Sequence, residues 1–360
     1  MKKMLLILLT LTFCLCVACS NTAGGADDVP SEVVVNLATD TTLYKTFGRT
    51  YVNDEGLNMD FPAQGFEFEA ECSGTVSIQY SGSVKTYFQV YVDGEAGLRI
   101  CTKMGESLTC AIAENLPEGK HVIRLVRDSD AARGAELMAI RSVTFTGKKS
   151  TVKATAEKPL YIEFVGDSIT AGKYTSMEDV GTEGMHKATN SYAYLTAAAL
   201  DADYSVIAKG GCGYFRIKTS PKTMNQLYPY YNGFLLNPQK YQTARKADVV
   251  VLALGTNDNE TYVKESYNNG TVPFATYDEA LNDMLSQIRG QHGEDVPIVL
   301  MYGMMNSVWE DNFKNAAKDE RVHLVKVPQN REGGNDHPSV EGHKVFSQQL
   351  VDYLKTNVLK

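Results

Sequence analysis

Four short segments carry residues that could do ester chemistry together. Gly166-Asp167-Ser168-Ile169-Thr170 follows an apolar run and sets a serine hydroxyl behind a glycine that permits a tight turn. A hydroxyl in that position can meet solvent with backbone N–H groups nearby for an oxyanion, although Asp167 or Ser168 simply capping a helix would look the same. Leu254-Gly255-Thr256-Asn257-Asp258 closes another apolar run, and the Asn257 amide can donate to a developing oxyanion or close an ordinary Asx turn. Lys209-Gly210-Gly211-Cys212-Gly213 is a glycine-rich loop whose N–H groups could converge on the same point. Asn335-Asp336-His337-Pro338-Ser339 supplies a histidine able to activate Ser168 as general base and later protonate a leaving alcohol.

Parallel β/α elements would bring these segments together. After Pro159, apolar stretches at 160–165, 204–208, 248–254, 296–302 and 322–327 read as strands, and their near-continuous Val, Ile and Leu content suits strands covered on both faces. Helical stretches are expected at 190–200, 277–289, 310–318 and 339–354, which makes 159–360 a three-layer αβα domain around a parallel sheet. In such sheets the ligand site lies beyond the carboxyl ends of the strands, where the serine, glycine and asparagine segments fall. Residues 33–147 read differently, as short strands of period two with turn signals such as Asp93-Gly94, and predict an antiparallel, jelly-roll-like β-sandwich. The polar stretch 148–158 is the expected linker.

Charge and leader narrow the partners. The 360 residues carry a formal net charge of −8, which argues against nucleic acid as a partner because phosphate binding needs a basic surface. Lys2 and Lys3 precede an apolar run to Ala18 that is too short to span a bilayer comfortably, so 1–18 reads as a secretory signal. Leu15-Cys16-Val17-Ala18-Cys19 resembles a bacterial lipobox, which implies cleavage after Ala18, lipidation of Cys19 and a membrane anchor on an exported, cell-envelope protein. Residues 19–32 would then be a flexible tether. In that oxidising compartment Cys101 and Cys110 could close a loop across a hairpin, and no cysteine or histidine cluster has zinc-site spacing.

The order and spacing of the four segments resemble those of the SGNH, or GDSL-type, hydrolases, over the chain from Pro159 to its C-terminus. By that resemblance Ser168 is the nucleophile and His337 the base. Ser168 and Gly213 would contribute N–H groups, and Asn257 its amide, to the oxyanion hole, with Gly211 as the alternative glycine. The family commonly places an aspartate three residues before the histidine, where this chain has Gly334. Either Asp336 reaches the imidazole by a local turn, or a backbone carbonyl orients His337 and the centre is a Ser-His dyad.

A sandwich ahead of such a domain, with Phe47-Gly48-Arg49-Thr50, Asn115 to His121 and Glu163 to Ser168, is similar to carbohydrate esterase family 2. That resemblance implies an acetylesterase acting on xylan, mannan or related glycans, without metal or cofactor. Tyr230 and Tyr231, in a long insertion, and Trp309 could stack on sugar rings, or could simply pack. His121, His323 and His343 read as structural. Two other readings keep the residues: an esterase for lysophospholipids, aryl esters or peptidoglycan O-acetyl groups, and a non-catalytic surface glycan-binding protein.

Overall fold

The computed structural model describes residues 31–132, 138–147, 150–215, 220, 222–258 and 274–359. The signal, Cys19 and nearly all of the tether lie outside the described residues.

The first half is all β. Its strands are β1 (Ser31–Asn36), β2 (Lys45–Phe47), β3 (Tyr51–Asn53), β4 (Gly56–Asn58), β5 (Gly65–Gly82), β6 (Tyr87–Val92), β7 (Glu95–Cys101), β8 (Gly105–Arg127), β9 (Met138–Gly147) and β10 (Thr151–Ala154), and every pairing among them is antiparallel. The two long strands β5 and β8 pair along their whole length, and their register shifts around Gly74, which has φ +74°. A bulge there bends both strands and lets one continuous sheet close over itself. The enclosed core includes Val35, Phe66, Phe68, Ile78, Leu125 and Phe145. The expected linker is a correction: Thr151–Ala154 pairs with Phe68–Glu71 of β5, and Val152 packs on the sandwich core. Alternation of polar and apolar residues, together with an unpaired edge of β5, makes that segment a strand. Cys101 and Cys110 sit on different strands and are free, as are the buried Cys72 and Cys212.

The second half is the expected αβα arrangement. Strands β11 (Tyr161–Gly166), β12 (Asp203–Ala208), β13 (Val249–Ala253), β14 (Ile298–Tyr302) and β15 (Val322–Lys326) form a parallel sheet in the order β12-β11-β13-β14-β15. Every residue of β11 to β14 is buried, and separate apolar clusters cover the two faces of the sheet. Among the described residues the α-helices are α1 (Tyr192–Ala199), α2 (Met224–Leu227), α3 (Tyr277–His292), α4 (Glu310–Ala316) and α5 (Val340–Asn357). Thr276 and Glu279 form a capping box on α3, and Ser339 caps α5 by accepting from Gly342 N. Gly166 is in register with both Ala208 and Ala253, so the three central strands end level with one another.

One charge within β11 ties the halves together. Glu163 is fully buried and meets the fully buried Arg49 of the sandwich half at 3.0 Å. The Arg49 guanidinium also donates to the Tyr228 carbonyl and lies 4.2 Å from the centres of the Tyr228 and Tyr241 rings. Tyr228 Oη and His292 Nε2 reach Glu163 Oε1 at 2.6 and 3.1 Å. Burial alone would raise the Glu163 pKa, but Arg49 and His292 bring it down to about 2 from 4.5. Its stabilising contribution is therefore present above pH 4.5 and is lost as pH falls toward 2. Removing one partner of such a pair costs about 3–5 kcal/mol because the other charge stays buried. Arg49→Ala should lower stability by that amount near neutrality, and by much less at about pH 3, where Glu163 is losing its advantage. Urea unfolding at the two pH values checks this, and an equal loss at both would show that the pair is not the cause.

Candidate active site

Ser168 lies two residues beyond the end of β11. The turn needs a glycine before it, because a Cβ at Gly166 would fall 1.9 Å from Thr170 Oγ1. Asp167 Oδ1 accepts from Ile169 N at 2.9 Å, and Lys173 N donates to the Ser168 carbonyl at 2.9 Å, which fixes the serine's backbone. Ser168 Oγ meets His337 Nε2 at 2.9 Å across 169 residues of sequence. The imidazole's other nitrogen, Nδ1, is 3.0 Å from the carbonyl oxygen of Asn335. Asp336 is exposed and takes no part in that contact.

The local backbone explains this arrangement. Asn335 and Asp336 both have positive φ, +52° and +61°, and the resulting tight turn brings the Asn335 carbonyl under the imidazole. An aspartate at 334 has no room. A Cβ there would lie 2.6 Å from Val180 Cγ2 and 2.7 Å from the Ser176 carbonyl oxygen. Gly334 N donates to the Tyr174 carbonyl, and the Tyr174 ring sits edge-on to His337 at 5.4 Å. Of the two ways to orient His337 that the sequence leaves open, the structure has the backbone carbonyl.

Asn257 stands on a single 3₁₀ turn, Thr256–Asp258, after β13. Its Nδ2 donates to Asp167 Oδ2 at 3.1 Å and to the Cys212 carbonyl at 2.9 Å, so the amide faces the serine turn and the glycine loop at once. Asp258 accepts from Tyr214 N and Phe215 N at 3.1 and 2.9 Å, which holds the far side of that loop. Burial pushes the Asp167 carboxyl up to about 7, and the charge of Asp258 adds to the rise.

Gly213 follows directly on the Cys212 carbonyl that the Asn257 amide holds, and Met224 N donates to the Gly213 carbonyl at 2.9 Å. Gly210 N is turned to Asp130 Oδ1 at 3.3 Å. Gly211, the alternative glycine, lies in the left-handed region at φ +75°.

The aromatic candidates separate. Trp309 is half-buried, stacks on Tyr277 at 3.9 Å with an interplanar angle of 2°, and borders a narrow cavity with Ile169, Gly255, Thr256 and Met304. Tyr231 packs between Tyr51 and Tyr241, and Tyr230 bridges Lys240, so the insertion folds back on itself and onto the sandwich half. His343 is buried, with Nδ1 accepting from Tyr192 N, as a structural histidine should be. Among the described residues no group of three His, Cys, Asp or Glu side chains could hold a metal ion. Sequence reasoning missed Asp130, Lys209 and His186, which meet beside Gly210. Lone polar residues on separate elements left no local signal of that meeting.

Comparison with known proteins agrees with this architecture. A family model described as Carbohydrate esterase 2 N-terminal matches residues 46–154, and one for the GDSL-like Lipase/Acylhydrolase family matches residues 164–345. An acetylxylan esterase / glucomannan deacetylase of Cellvibrio japonicus is 35% identical over 67% of this chain and 71% of its own length. The cellulase/esterase CelE of Acetivibrio thermocellus is 29% identical over 82% of this chain, which spans only 37% of that longer protein. The fold is shared with a family two carbohydrate esterase from Clostridium thermocellum solved in complex with cellohexaose, with a TM-score of 0.72, 23% identity, and coverage of 87% of this chain and 98% of that one. With both halves matched by their own family models in the same order, the chain belongs to carbohydrate esterase family 2, a family of carboxylic-ester hydrolases built on the GDSL-like fold.

Proposed function

We propose that this protein removes acetyl groups from plant polysaccharides such as xylan or glucomannan through a Ser168–His337 dyad. The observation that carries the reading is the 2.9 Å contact from Ser168 Oγ to His337 Nε2, with Nδ1 on the Asn335 carbonyl, at the carboxyl edge of a parallel sheet. His337 Nε2 takes the Ser168 proton as Oγ adds to the ester carbonyl. The oxyanion is met by the N–H groups of Ser168 and Gly213 and by the Asn257 amide, which gives up one of its two contacts, to Asp167 Oδ2 or the Cys212 carbonyl, as the oxyanion forms. The Asn335 carbonyl accepts from Nδ1–H, so the tautomer with a free Nε2 lone pair is favoured and the imidazolium is stabilised. The imidazolium then protonates the sugar oxygen as the C–O bond breaks, leaving an acetyl-enzyme. Water, deprotonated by His337, releases acetate and restores Ser168. A short acyl group suits the narrow cavity bordered by Ile169 and Trp309, and Trp309 at its rim is the candidate sugar platform. The likeness to an acetylxylan esterase / glucomannan deacetylase supports the choice of acyl group and glycan.

We further infer export and anchoring by lipid at Cys19. Cys19→Ala should abolish fatty-acid labelling and release the protein from membranes, and unchanged labelling would point to another attachment.

Acetate release from acetylated xylan, acetylated glucomannan and a small aryl acetate should vanish in Ser168→Ala. His337→Ala should lose about 10³-fold or more in kcat, whereas Asp336→Ala should stay within about threefold of the parent. Equal collapse of both would sink the dyad. Release from none of the three substrates by folded protein would move weight to another ester or to glycan binding without catalysis.

A further inference from the structure

The loop that carries Gly213 is held from the other half of the molecule. Asp130 lies in the sandwich half, between β8 and β9, in a turn fixed by Arg127 Nη2 donating to the Asp130 carbonyl at 2.9 Å and Arg127 Nη1 donating to the Met59 carbonyl at 2.8 Å. Its Oδ1 accepts from Ala131 N at 2.9 Å and from Gly210 N at 3.3 Å, and its Oδ2 accepts from Lys209 Nζ. Lys209 has a fully buried side chain, and its ammonium also donates to the Ala131 carbonyl at 3.1 Å. One carboxylate therefore grips both residues that lead into Gly211. A Cβ placed on Gly210 would lie 3.8 Å from Ser168 Cβ, so the gripped backbone is directly beside the serine.

The surroundings keep that carboxylate charged and in place. Burial opposes its charge, yet the Lys209 ammonium on Oδ2 and the backbone N–H of Ala131 hold its pKa well below the usual carboxylate range. His186 Nε2 is 3.7 Å from Asp130 Oδ2, and burial pushes this imidazole down to about 4, which leaves it neutral at working pH. The loop carrying His186 is itself pinned to the sandwich half by Arg99, which donates to the His186 carbonyl at 2.8 Å.

We propose that Asp130 is a positioning residue for the oxyanion hole, acting across the boundary between the two halves by fixing the Lys209–Gly210 backbone on which the rest of the glycine loop is built. The inference rests on the reading of Ser168 as nucleophile and of this loop as an oxyanion donor. Cys212 N donates to the Lys209 carbonyl at 3.2 Å, so the turn that presents the Gly213 N–H is built on the residues that Asp130 holds. A donor aimed in advance at the developing charge lowers the barrier without tightening ground-state binding, and losing it appears in kcat rather than in KM.

The test compares two double variants that both remove the buried charge pair, so neither leaves an uncompensated charge inside. Asp130→Ala with Lys209→Met has no acceptor for Gly210 N, and Asp130→Asn with Lys209→Met keeps one. On a small aryl acetate the alanine double should lose about 10–100-fold in kcat with KM within about twofold, and the asparagine double should recover most of the kcat. Equal kcat in the two doubles, or a loss confined to KM, overturns the proposal. A fall in thermal stability with unchanged kcat per folded molecule also overturns it, because a purely structural role predicts that pattern. If the alanine double does not fold, the asparagine double decides alone, and a tenfold drop in its kcat counts against the proposal. The parent protein and Ser168→Ala are assayed alongside: absence of Ser168-dependent turnover in the parent overturns the esterase reading, whereas a negative loop result with an active parent overturns only this inference.

Discussion

The site depends on three parallel strands ending at one level. Gly166 of β11 is paired with Ala208 on one side and Ala253 on the other, and the serine turn, the glycine loop and the asparagine turn leave the sheet from those three points. The hydrogen-bond ladder sets this register, and the complete burial of the strands prevents it from slipping, because a shift by one residue would exchange the side chains between two packed faces. Ser168 and Asn257 are 89 residues apart in sequence, yet Asp167, beside the serine, accepts directly from the Asn257 amide at 3.1 Å.

Around that edge the groups are placed mostly by backbone. The orientation of His337 falls to a carbonyl, because Gly334 is walled in by Val180 and Ser176 and no carboxylate can stand there. A neutral carbonyl accepts the Nδ1 proton and selects the same tautomer as an aspartate would, with less stabilisation of the imidazolium. Two consecutive left-handed residues, Asn335 and Asp336, make the turn possible, and both are of types that tolerate that conformation. The Asn257 amide in turn is oriented by Asp167, whose charge is weakened by burial and by the nearness of Asp258.

The sandwich half is joined to the hydrolase half at places that matter to both. Arg49 enters the far half to meet Glu163 on the strand that carries the serine, and Asp130 enters to meet the glycine loop. Charges buried this thoroughly are tolerated only when paired, so each contact fixes the relative position of the halves more sharply than apolar packing would. The all-β half therefore braces the strand and the loop that border Ser168.

The sequence by itself determined the candidate residues and the frame. Continuous apolar runs identified β11 to β15, period-two alternation identified the sandwich, and residue type at the strand ends singled out Ser168, Asn257 and His337. These signals are local, since each strand announces itself through a few neighbouring side chains, and parallel β/α winding then sends its end to a known edge. Tertiary structure alone decided the rest. The meeting of the Asn257 amide with the Cys212 carbonyl of the glycine loop joins residues 45 apart in sequence. The orienting group of His337 turned on whether a side chain fits at 334, which depends on the Ser176 to Val180 segment. The polar stretch 148–158 contributed a strand because β5 had an edge to fill, and the Tyr230 and Tyr231 insertion packed back on itself because Tyr51 and Tyr241 were there to receive it. The grip of Asp130 on Gly210 spans 80 residues and two folding units. Meetings of single polar groups depend on distant partners, and no local pattern of residues encodes them.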